Sequence, residues 1–248
     1  MVLPDYAYSF KSRRHPITRG YSRRALSFNG TTQNIRVLDD PTLRPATLTV
    51  SIWHRLLSPL AAQPDAFPAL VGKRVAAPQF AGFALYYNRA VNNFAYSFGN
   101  GVALFFPVIL ITWDVLKWTY TTFRHNGVTG EIMINGVSRG TLVQGFVSAV
   151  TNLFIASIIG ITAFPYADLD GATFYNRWLT DEEIRYNMLN YHSPIRNGLQ
   201  MWLPFEEGQG LTAVDLSGTG NNGSLLPVVN PPPWIRTSKH ELRAEALI

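Results

Sequence analysis

Residues 170–184 read DGATFYNRWLTDEEI, a stretch that contains both a strand signal and the start of a helix. The run Ala172–Asn176 has the length and composition of a short strand. Thr180 is a suitable N-cap, and Glu183 three positions later completes a capping box, while the acidic side chains favour the positive end of a helix. Apolar or aromatic residues follow at helical spacing, at Ile184, Met188, Leu189 and Tyr191. The stretch therefore predicts a strand leading into one short helix near residues 181–191.

Outside this helix the chain consists of short strand-like runs separated by turn residues. The strand candidates, besides Ala172–Asn176, are Arg24–Phe28, Ile35–Val37, Thr47–Leu56, Phe83–Tyr87, Phe94–Phe98, Val102–Phe106, Lys117–Arg124, Glu131–Ile134, Asn152–Ile158 and Leu199–Pro204. Asn-Gly pairs tolerate the positive φ of tight turns, and they predict chain reversals at Asn29-Gly30, Asn100-Gly101, Asn126-Gly127 and Asn135-Gly136. A further pair, Asn197-Gly198, is expected to end the helical element.

Residues 47–52 show which arrangement of strands to expect. Thr47, Thr49 and Ser51 alternate with Leu48, Val50 and Ile52, so one face of this strand is apolar and the other is polar. Two antiparallel sheets packed face to face require this alternation. The sequence therefore predicts an all-β fold, a two-sheet antiparallel β-sandwich.

The composition excludes several classes of protein. The chain has 248 residues, of which 47% are hydrophobic, 13% aromatic and only 15% charged, against about 25% charged in ordinary soluble proteins. This apolar fraction is enough for a large core, so the chain is not intrinsically disordered. The absence of cysteine excludes disulfide frameworks, thiol nucleophiles and cysteine-ligated zinc or iron–sulfur sites. The longest apolar runs, 102–113 and 153–164, are shorter than the ~20 residues of a membrane helix, and the first residues do not read as a secretory signal peptide.

The net charge of +5 lies in the first 24 residues. There, six basic residues face one acid, Asp5, while acidic and basic side chains balance in the rest of the chain. The basic residues are Lys11, Arg13, Arg14, Arg19, Arg23 and Arg24. We expect a basic N-terminal arm over residues 1–23, a sandwich over 24–235 and a C-terminal tail over 236–248, with both termini extended. The arm either contacts an acidic partner such as nucleic acid or packs on a neighbouring subunit.

The order of these segments resembles the laminin G-like, concanavalin A-type jelly-roll domains. Trp53 falls where that family places a core tryptophan. The matching segments are Ala25–Gly30 with Ile35 and Val37, Thr49–Trp53, Trp118–Phe123, Gly130–Val137, Asp170–Ile184 and Gly198–Gly210. The last of these usually opens a module in the family. Here it either closes the sheet of this domain or pairs with a neighbouring chain.

The resemblance also implies a calcium site on a loop at the rim of the sandwich. Asp168 and Asp170 are the candidate ligands, although Gly171 stands where the family has a second acid. Asp215 with Asn221 and Asn222 is an alternative set. The competing interpretation is that these Asp and Asn residues cap their own turns.

No catalytic residue is expected. Glycoside hydrolases of this fold class need two carboxylates on one strand face, but Glu131 stands alone and Glu206 and Glu207 are adjacent. The five histidines lie at no spacing that suggests a catalytic triad or a metal site. Exposed aromatic rings can stack on sugars, and the candidates for glycan stacking are Tyr86, Tyr87 and Trp178, with Tyr96 and Tyr191 also considered.

The sequence is compatible with three functions. The first is a non-enzymatic structural subunit of a virion, that is, a capsid, decoration or tail protein. Such a subunit would form homo-oligomers or contact other virion subunits through its termini. The low charge of the sandwich favours this function, because large interfaces are depleted in charged residues. The alternative is a carbohydrate-binding or adhesion module located outside the cell or on its surface. A glycoside hydrolase is the third and the least supported.

Overall fold

Two antiparallel β-sheets packed face to face form the described part of the chain, which confirms the predicted sandwich. The computed structural model describes residues 24–75, 77–109, 116–159 and 162–237. Within these ranges, no helix has the length and apolarity needed to cross a membrane. The basic residues Lys11, Arg13, Arg14, Arg19 and Arg23 and the tail 238–248 lie outside the described residues.

The elements are numbered in chain order. The strands are β1 Arg24–Asn29, β2 Asn34–Val37, β3 Leu48–Leu56, β4 Ala69–Val75, β5 Ala81–Asn88, β6 Asn93–Asn100, β7 Leu104–Phe105, β8 Val108–Ile109, β9 Thr119–His125, β10 Thr129–Ile134, β11 Val137–Val143, β12 Leu153–Ile155, β13 Tyr166–Tyr175, β14 Leu199–Leu203, β15 Thr212–Ala213, β16 Gly223–Leu226 and β17 Trp234–Arg236. The helix α1 is Asp181–Leu189, and short 3-10 turns cover Pro41–Leu43, Leu60–Ala62 and Arg89–Val91.

Each sheet contains strands from distant parts of the chain. The first sheet has the order β11-β10-β9-β3-β13-β1-β17, with β14 also paired to β13. The second has the order β15-β16-β2-β12-β4-β5-β6-β7, with β8 also paired to β6. Because β14 pairs with β13 of the same chain, the segment that follows Gly198 closes the sheet of this domain.

The main core lies between the two sheets and is rich in aromatic rings. Phe83 of the second sheet packs against Phe123 and Phe174 of the first, with ring centroids 5.6 and 6.3 Å apart. Leu48, Val50 and Ile52 of β3 point into this core as the alternation predicts. Each such side chain contributes roughly 1.5–3 kcal/mol when it is fully removed from water.

The outer face of the first sheet is covered as well. Helix α1 and the residues around it pack on this face, and Trp53, Trp118, Tyr120 and Tyr175 belong to the resulting second cluster. The polar residues of β3 are therefore buried instead of facing solvent: the hydroxyl oxygens of Ser51 and Thr122 are 2.9 Å apart, and Thr49 donates to the carbonyl of Arg177 at 2.8 Å. Trp53 is buried in this layer and not between the sheets.

The short helix predicted near residues 181–191 is confirmed, but Asn197-Gly198 does not end it. The Thr180 hydroxyl accepts from the Glu183 backbone N–H and the Glu183 carboxylate accepts from the Thr180 N–H, which is the complete capping box. The helix ends at Leu189, because Asn190 leaves the helical conformation and serves as the C-cap. Asn197-Gly198 instead forms the turn before β14, where Gly198 has a φ of 77°.

Three of the four predicted Asn-Gly reversals form hairpins within one sheet. Asn135 and Gly136 both have positive φ and join β10 to β11. Asn126-Gly127 joins β9 to β10, and Asn100-Gly101 joins β6 to β7. Asn29-Gly30 differs because it carries the chain from β1 in the first sheet to β2 in the second.

Arg124 joins the first sheet to the start of α1. Its guanidinium donates to Glu131 from Nε at 2.7 Å, to Asp181 from Nη2 at 2.6 Å and to the carbonyl of Leu179 from Nη1 at 2.7 Å. Both Arg124 and Glu131 are buried, whereas Asp181 is half-exposed. Glu131, which stands alone in the sequence, is therefore the partner of a buried arginine.

Two histidines of the first sheet are buried and neutral. Nε2 of His54 lies 2.8 Å from the Thr121 hydroxyl, and Nδ1 lies 3.1 Å from the Tyr87 hydroxyl. Burial lowers the pKa of His54 from 6.5 to about 3. Burial also lowers the pKa of His125 to about 4, against the opposing effect of its hydrogen bond to the Gln144 carbonyl.

Replacing Arg124 with Met is expected to lower the free energy of unfolding by about 3 kcal/mol or more, because Glu131 is left buried without its partner. The matched control is Arg177→Met, which removes the partly exposed pair with Glu183 and is expected to cost about 1 kcal/mol or less. Urea unfolding at pH 7 measures both values. Equal losses in the two variants would contradict the role assigned to Arg124.

Stability is expected to fall as the pH falls from 6.5 toward 4. Unfolded histidines bind a proton near pH 6.5, whereas His54 and His125 stay neutral in the folded state. The stabilisation is therefore complete above pH 6.5 and is lost progressively toward the folded values, with a slope of up to about 1.4 kcal/mol per pH unit for each histidine.

The variant His54→Gln keeps a polar side chain that does not titrate, so it should flatten the dependence of stability on pH. The control Val128→Gln places the same side chain at an exposed turn position that carries no titratable group, and it should leave the slope as it is. Urea unfolding at several pH values between 7 and 4 measures these slopes. An unchanged slope in His54→Gln would refute this assignment.

Candidate functional site

The outer face of the second sheet carries small side chains along its two longest strands. In β5 the large residues Phe83, Leu85 and Tyr87 point into the core, so Gly82, Ala84 and Tyr86 alternate onto the outer face. In β6 the residues that point into the core are Phe94, Tyr96 and Phe98, and those between them are Ala95, Ser97 and Gly99. The side chains on the outer face of these two strands are thus short, except for that of Tyr86.

One row of paired residues crosses this face. Tyr86 pairs with Ala69 of β4 on one side and with Ala95 of β6 on the other, and Ala95 pairs with Val108 of β8. The alanines beside Tyr86 leave room along its ring. This row forms the floor of a groove of about 290 Å³.

The walls of the groove come from segments outside these strands. Ile158 crosses β4 closely, since a Cβ on Gly72 would lie 2.5 Å from the Ile158 Cα, and this approach brings the Ile158 side chain to one wall. Phe67, 46% exposed, packs edge-on against Tyr86 with ring centroids 6.0 Å apart. Phe106, 54% exposed, and Asn88 complete the lining. The groove therefore presents two accessible aromatic rings and a buried third ring.

Arg74 is the charged residue of the groove. Nη1 donates to the Ser97 hydroxyl at 2.7 Å, and Cζ lies 5.9 Å from the centre of the Phe106 ring. Burial lowers the pKa of Arg74, while the neighbouring Tyr86 opposes this effect, and burial raises the pKa of Tyr86. Guanidinium groups remain protonated at neutral pH. The groove thus combines aromatic rings with one positive charge.

The sequence-based candidates for glycan stacking lie in different places. Tyr86 is at the floor of the groove. Tyr87 and Tyr96 are fully buried in the main core, so the expectation that Tyr87 stacks on a ligand is corrected: its ring is inaccessible and its hydroxyl contacts His54. Trp178 is on the opposite side of the sandwich with the Arg124 guanidinium 4.2 Å from its ring centre, and Tyr191 belongs to the buried cluster under α1.

The structure places Asp168 and Asp170, the candidate calcium ligands, inside a strand and not on a loop at the rim. Both lie within β13 and are buried under the layer that covers the first sheet. The Asp168 carboxylate accepts from Nε of Arg55 at 2.9 Å. Gly171 has a φ of 48° at an irregularity in the pairing of β13 with β3, so its role is to bend the strand. Within the described ranges, no three His, Asp or Glu side chains are grouped as metal ligands. Calcium binding at Asp168 and Asp170 stays a prediction.

Asp215 organises its own loop, as the turn interpretation expected. Its carboxylate accepts from the backbone N–H groups of Trp202, Ser217 and Asn221 at 2.8–2.9 Å and from the hydroxyls of Ser217 and Thr219. These backbone and side-chain hydrogen bonds to the carboxylate lower the pKa of Asp215, although burial acts in the opposite direction. Its oxygens are saturated by donors, which leaves no place for a cation.

The described lining of the groove contains no carboxylate pair of the kind that glycoside hydrolysis requires. Of the acidic residues considered in the sequence, Glu131 is the partner of Arg124 and Glu183 caps α1. Arg24 is the one basic arm candidate within the described residues. It lies in β1, and its backbone N–H donates to Glu206. Sequence reasoning missed Phe67, Arg74 and Phe106. The alternation in residues 81–88 and 93–100 was the available signal, because it marks an outer face with small residues.

Comparison with solved structures shows the same fold at low sequence identity. A candidate carbohydrate-binding protein from Bacteroides ovatus aligns over 87% of this chain with a TM-score of 0.66 and 14% identity. The receptor-binding domain of botulinum neurotoxin mosaic serotype C/D aligns over 68% of this chain and 42% of its own, with a TM-score of 0.51 and 15% identity. The chain spans 60% of the length of the Bacteroides protein. No curated protein matches the sequence.

The family assignment rests on more than half of the sequence. A family model described as the concanavalin A-like lectin/glucanases superfamily, of the laminin G type, matches residues 29–185. The matched range runs from the end of β1 into α1 and includes all the strands that form the floor of the groove. This chain belongs to the concanavalin A-like lectin/glucanase superfamily and carries a domain of its laminin G type.

Proposed function

We propose that this protein is a non-catalytic carbohydrate-binding module and that the groove on the second sheet holds the sugar. The geometry of the groove carries the proposal. Its volume of about 290 Å³ is at the lower end of small-molecule sites, which span about 300–1,000 Å³. It is concave, mostly apolar and lined by a few polar groups, as such sites generally are.

The aromatic rings of the groove suit saccharides in particular. One face of a sugar ring exposes C–H groups, which pack against an aromatic face by dispersion, while its hydroxyls need polar partners. Phe67 and Phe106 present accessible rings, and Asn88 and Arg74 supply polar groups between them. The arrangement binds and orients a sugar, and the described lining contains no acid or base that could cleave one.

The relatives are consistent with this proposal but do not carry it. The Bacteroides protein of the same fold is described as a candidate carbohydrate-binding protein, at 14% identity. A location outside the cell or on its surface accompanies this proposal. The virion subunit that sequence reasoning favoured, together with its homo-oligomer, stays a prediction, and so does an acidic partner for the basic arm.

The proposal predicts that Phe67→Ala and Phe106→Ala each weaken saccharide binding by about tenfold, since stacking on one aromatic ring contributes on the order of 1 kcal/mol or more. Both rings are about half exposed, so neither change should unfold the protein. A glycan array first identifies a ligand, and isothermal titration calorimetry then compares the variants with the wild type.

Tyr186→Ala is the matched control, because Tyr186 is an aromatic residue of α1 that is 47% exposed and lies outside the groove. It should bind the same saccharide as tightly as the wild type. The proposal fails if the array yields no ligand, or if Tyr186→Ala weakens binding as much as the groove variants.

A further inference from the structure

The charge of Arg74 has no opposite charge beside it in the part of the chain that the structure describes. Among the residues that the structure describes, no ion pair joins Arg74 to a carboxylate, and its one hydrogen bond is to the neutral hydroxyl of Ser97. Arg55 and Arg124 are paired with Asp168 and Glu131. The partly buried Arg36 and Arg89, like Arg74, have no carboxylate partner among the described residues, but of these three it is Arg74 that lines the groove. Arg74 is therefore a positive charge partly removed from water without compensation.

Such a position is costly unless something else supplies the negative charge. Removing a charge from water lowers stability when no counter-charge accompanies it. Apolar groups surround Arg74 in the groove, with Phe106 on one side and Tyr86 nearby. A bound anion would provide the missing counter-charge next to these aromatic rings.

The orientation of the guanidinium indicates the shape of that anion. Nη1 is occupied by Ser97, whereas neither Nε nor Nη2 donates a hydrogen bond to any described residue. Nε–H and Nη2–H form one edge of the planar group and point in parallel, which is the geometry that receives both oxygens of a carboxylate. The free edge of Arg74 thus matches a planar, two-oxygen anion.

We infer that the groove binds an acidic saccharide, with the carboxylate of a sugar acid on the Nε/Nη2 edge of Arg74 and the sugar ring against Phe67 and Phe106. This inference rests on the proposed carbohydrate-binding function and narrows its ligand to one chemical class. Ser97 has a positioning role, because its hydroxyl holds Nη1 and directs the other edge of the guanidinium into the groove.

The test uses two matched pairs of ligands that differ in the acidic group. Oligogalacturonate is compared with its methyl ester, and 3′-sialyllactose with lactose, by calorimetry at two salt concentrations. In at least one pair the acid should bind the wild type about tenfold or more tightly than the neutral partner, since a bidentate charge-assisted contact contributes on the order of 1.5–3 kcal/mol. This preference should shrink as salt increases.

Two variants then assign the preference to Arg74. Arg74→Gln should remove the preference, so that the acid and its neutral partner bind with similar affinity, and Arg74→Lys should retain only a small part of it, because an ammonium cannot bind both oxygens in parallel. If Arg74→Gln proves unstable, Arg74→Lys alone decides the point. The control Arg139→Gln removes the same charge from the exposed edge strand β11 and should keep the full preference.

The outcomes separate the inference from the proposed function. Neutral saccharides that bind in a Phe67-dependent way without any acid preference would overturn the carboxylate assignment and leave the carbohydrate-binding function standing. A preference that survives Arg74→Gln, or a stronger preference for a sulfated oligosaccharide than for either carboxylated one, would overturn the assignment too. Absence of binding to every saccharide would overturn both.

Discussion

Large aromatic side chains fill the space between the two sheets, and this packing determines what each strand can present on its other face. Phe83, Tyr87, Phe94, Tyr96 and Phe98 all point inward from β5 and β6. Because side chains alternate along a strand, the residues between them must face outward. In these two strands the outward positions are mostly Gly, Ala and Ser, so a thick aromatic core and a shallow outer groove arise from the same pattern.

The outer faces of the two sheets are covered by different segments and to different extents. On the first sheet, α1 and its flanking segments bury Trp53, Tyr120 and Tyr175, and the polar groups there are satisfied within the protein, as Ser51 and Thr122 illustrate. On the second sheet, a small cluster around Tyr86 supports the floor, while Phe67 and Phe106 remain half-exposed beside it. The second face therefore keeps partly exposed aromatic rings beside a groove.

The sandwich and the helix start were predictable because they depend on local patterns. Alternation in residues 47–52 indicated the sheets, and Thr180 with Glu183 indicated the capping box. Strand β4 was not predicted, because the groups that allow its Lys73 to be buried are distant in the sequence. The Lys73 ammonium donates to Asp39 at 2.6 Å and to the Thr151 carbonyl. The groove escaped prediction for a related reason, since Phe67, Arg74 and Phe106 meet only after β4, β5 and β8 are in register.

Five arginines of the described residues lie over aromatic rings, and they differ in how their charge is compensated. Arg177 lies over Tyr175 and holds Glu183, whereas Arg196 lies over Trp202, is exposed to water and donates to the Leu216 carbonyl. Arg124 lies over Trp178 and Arg55 over Trp118, at 4.2 and 5.1 Å, and each also holds a carboxylate of the same chain. Arg74 lies over Phe106 at 5.9 Å, and its hydrogen-bond partner is a hydroxyl. An arginine with both an aromatic ring and a carboxylate has its charge compensated within the fold. Among the described residues, Arg74 has the aromatic ring but no carboxylate, so its charge is the one in the groove that the fold leaves uncompensated.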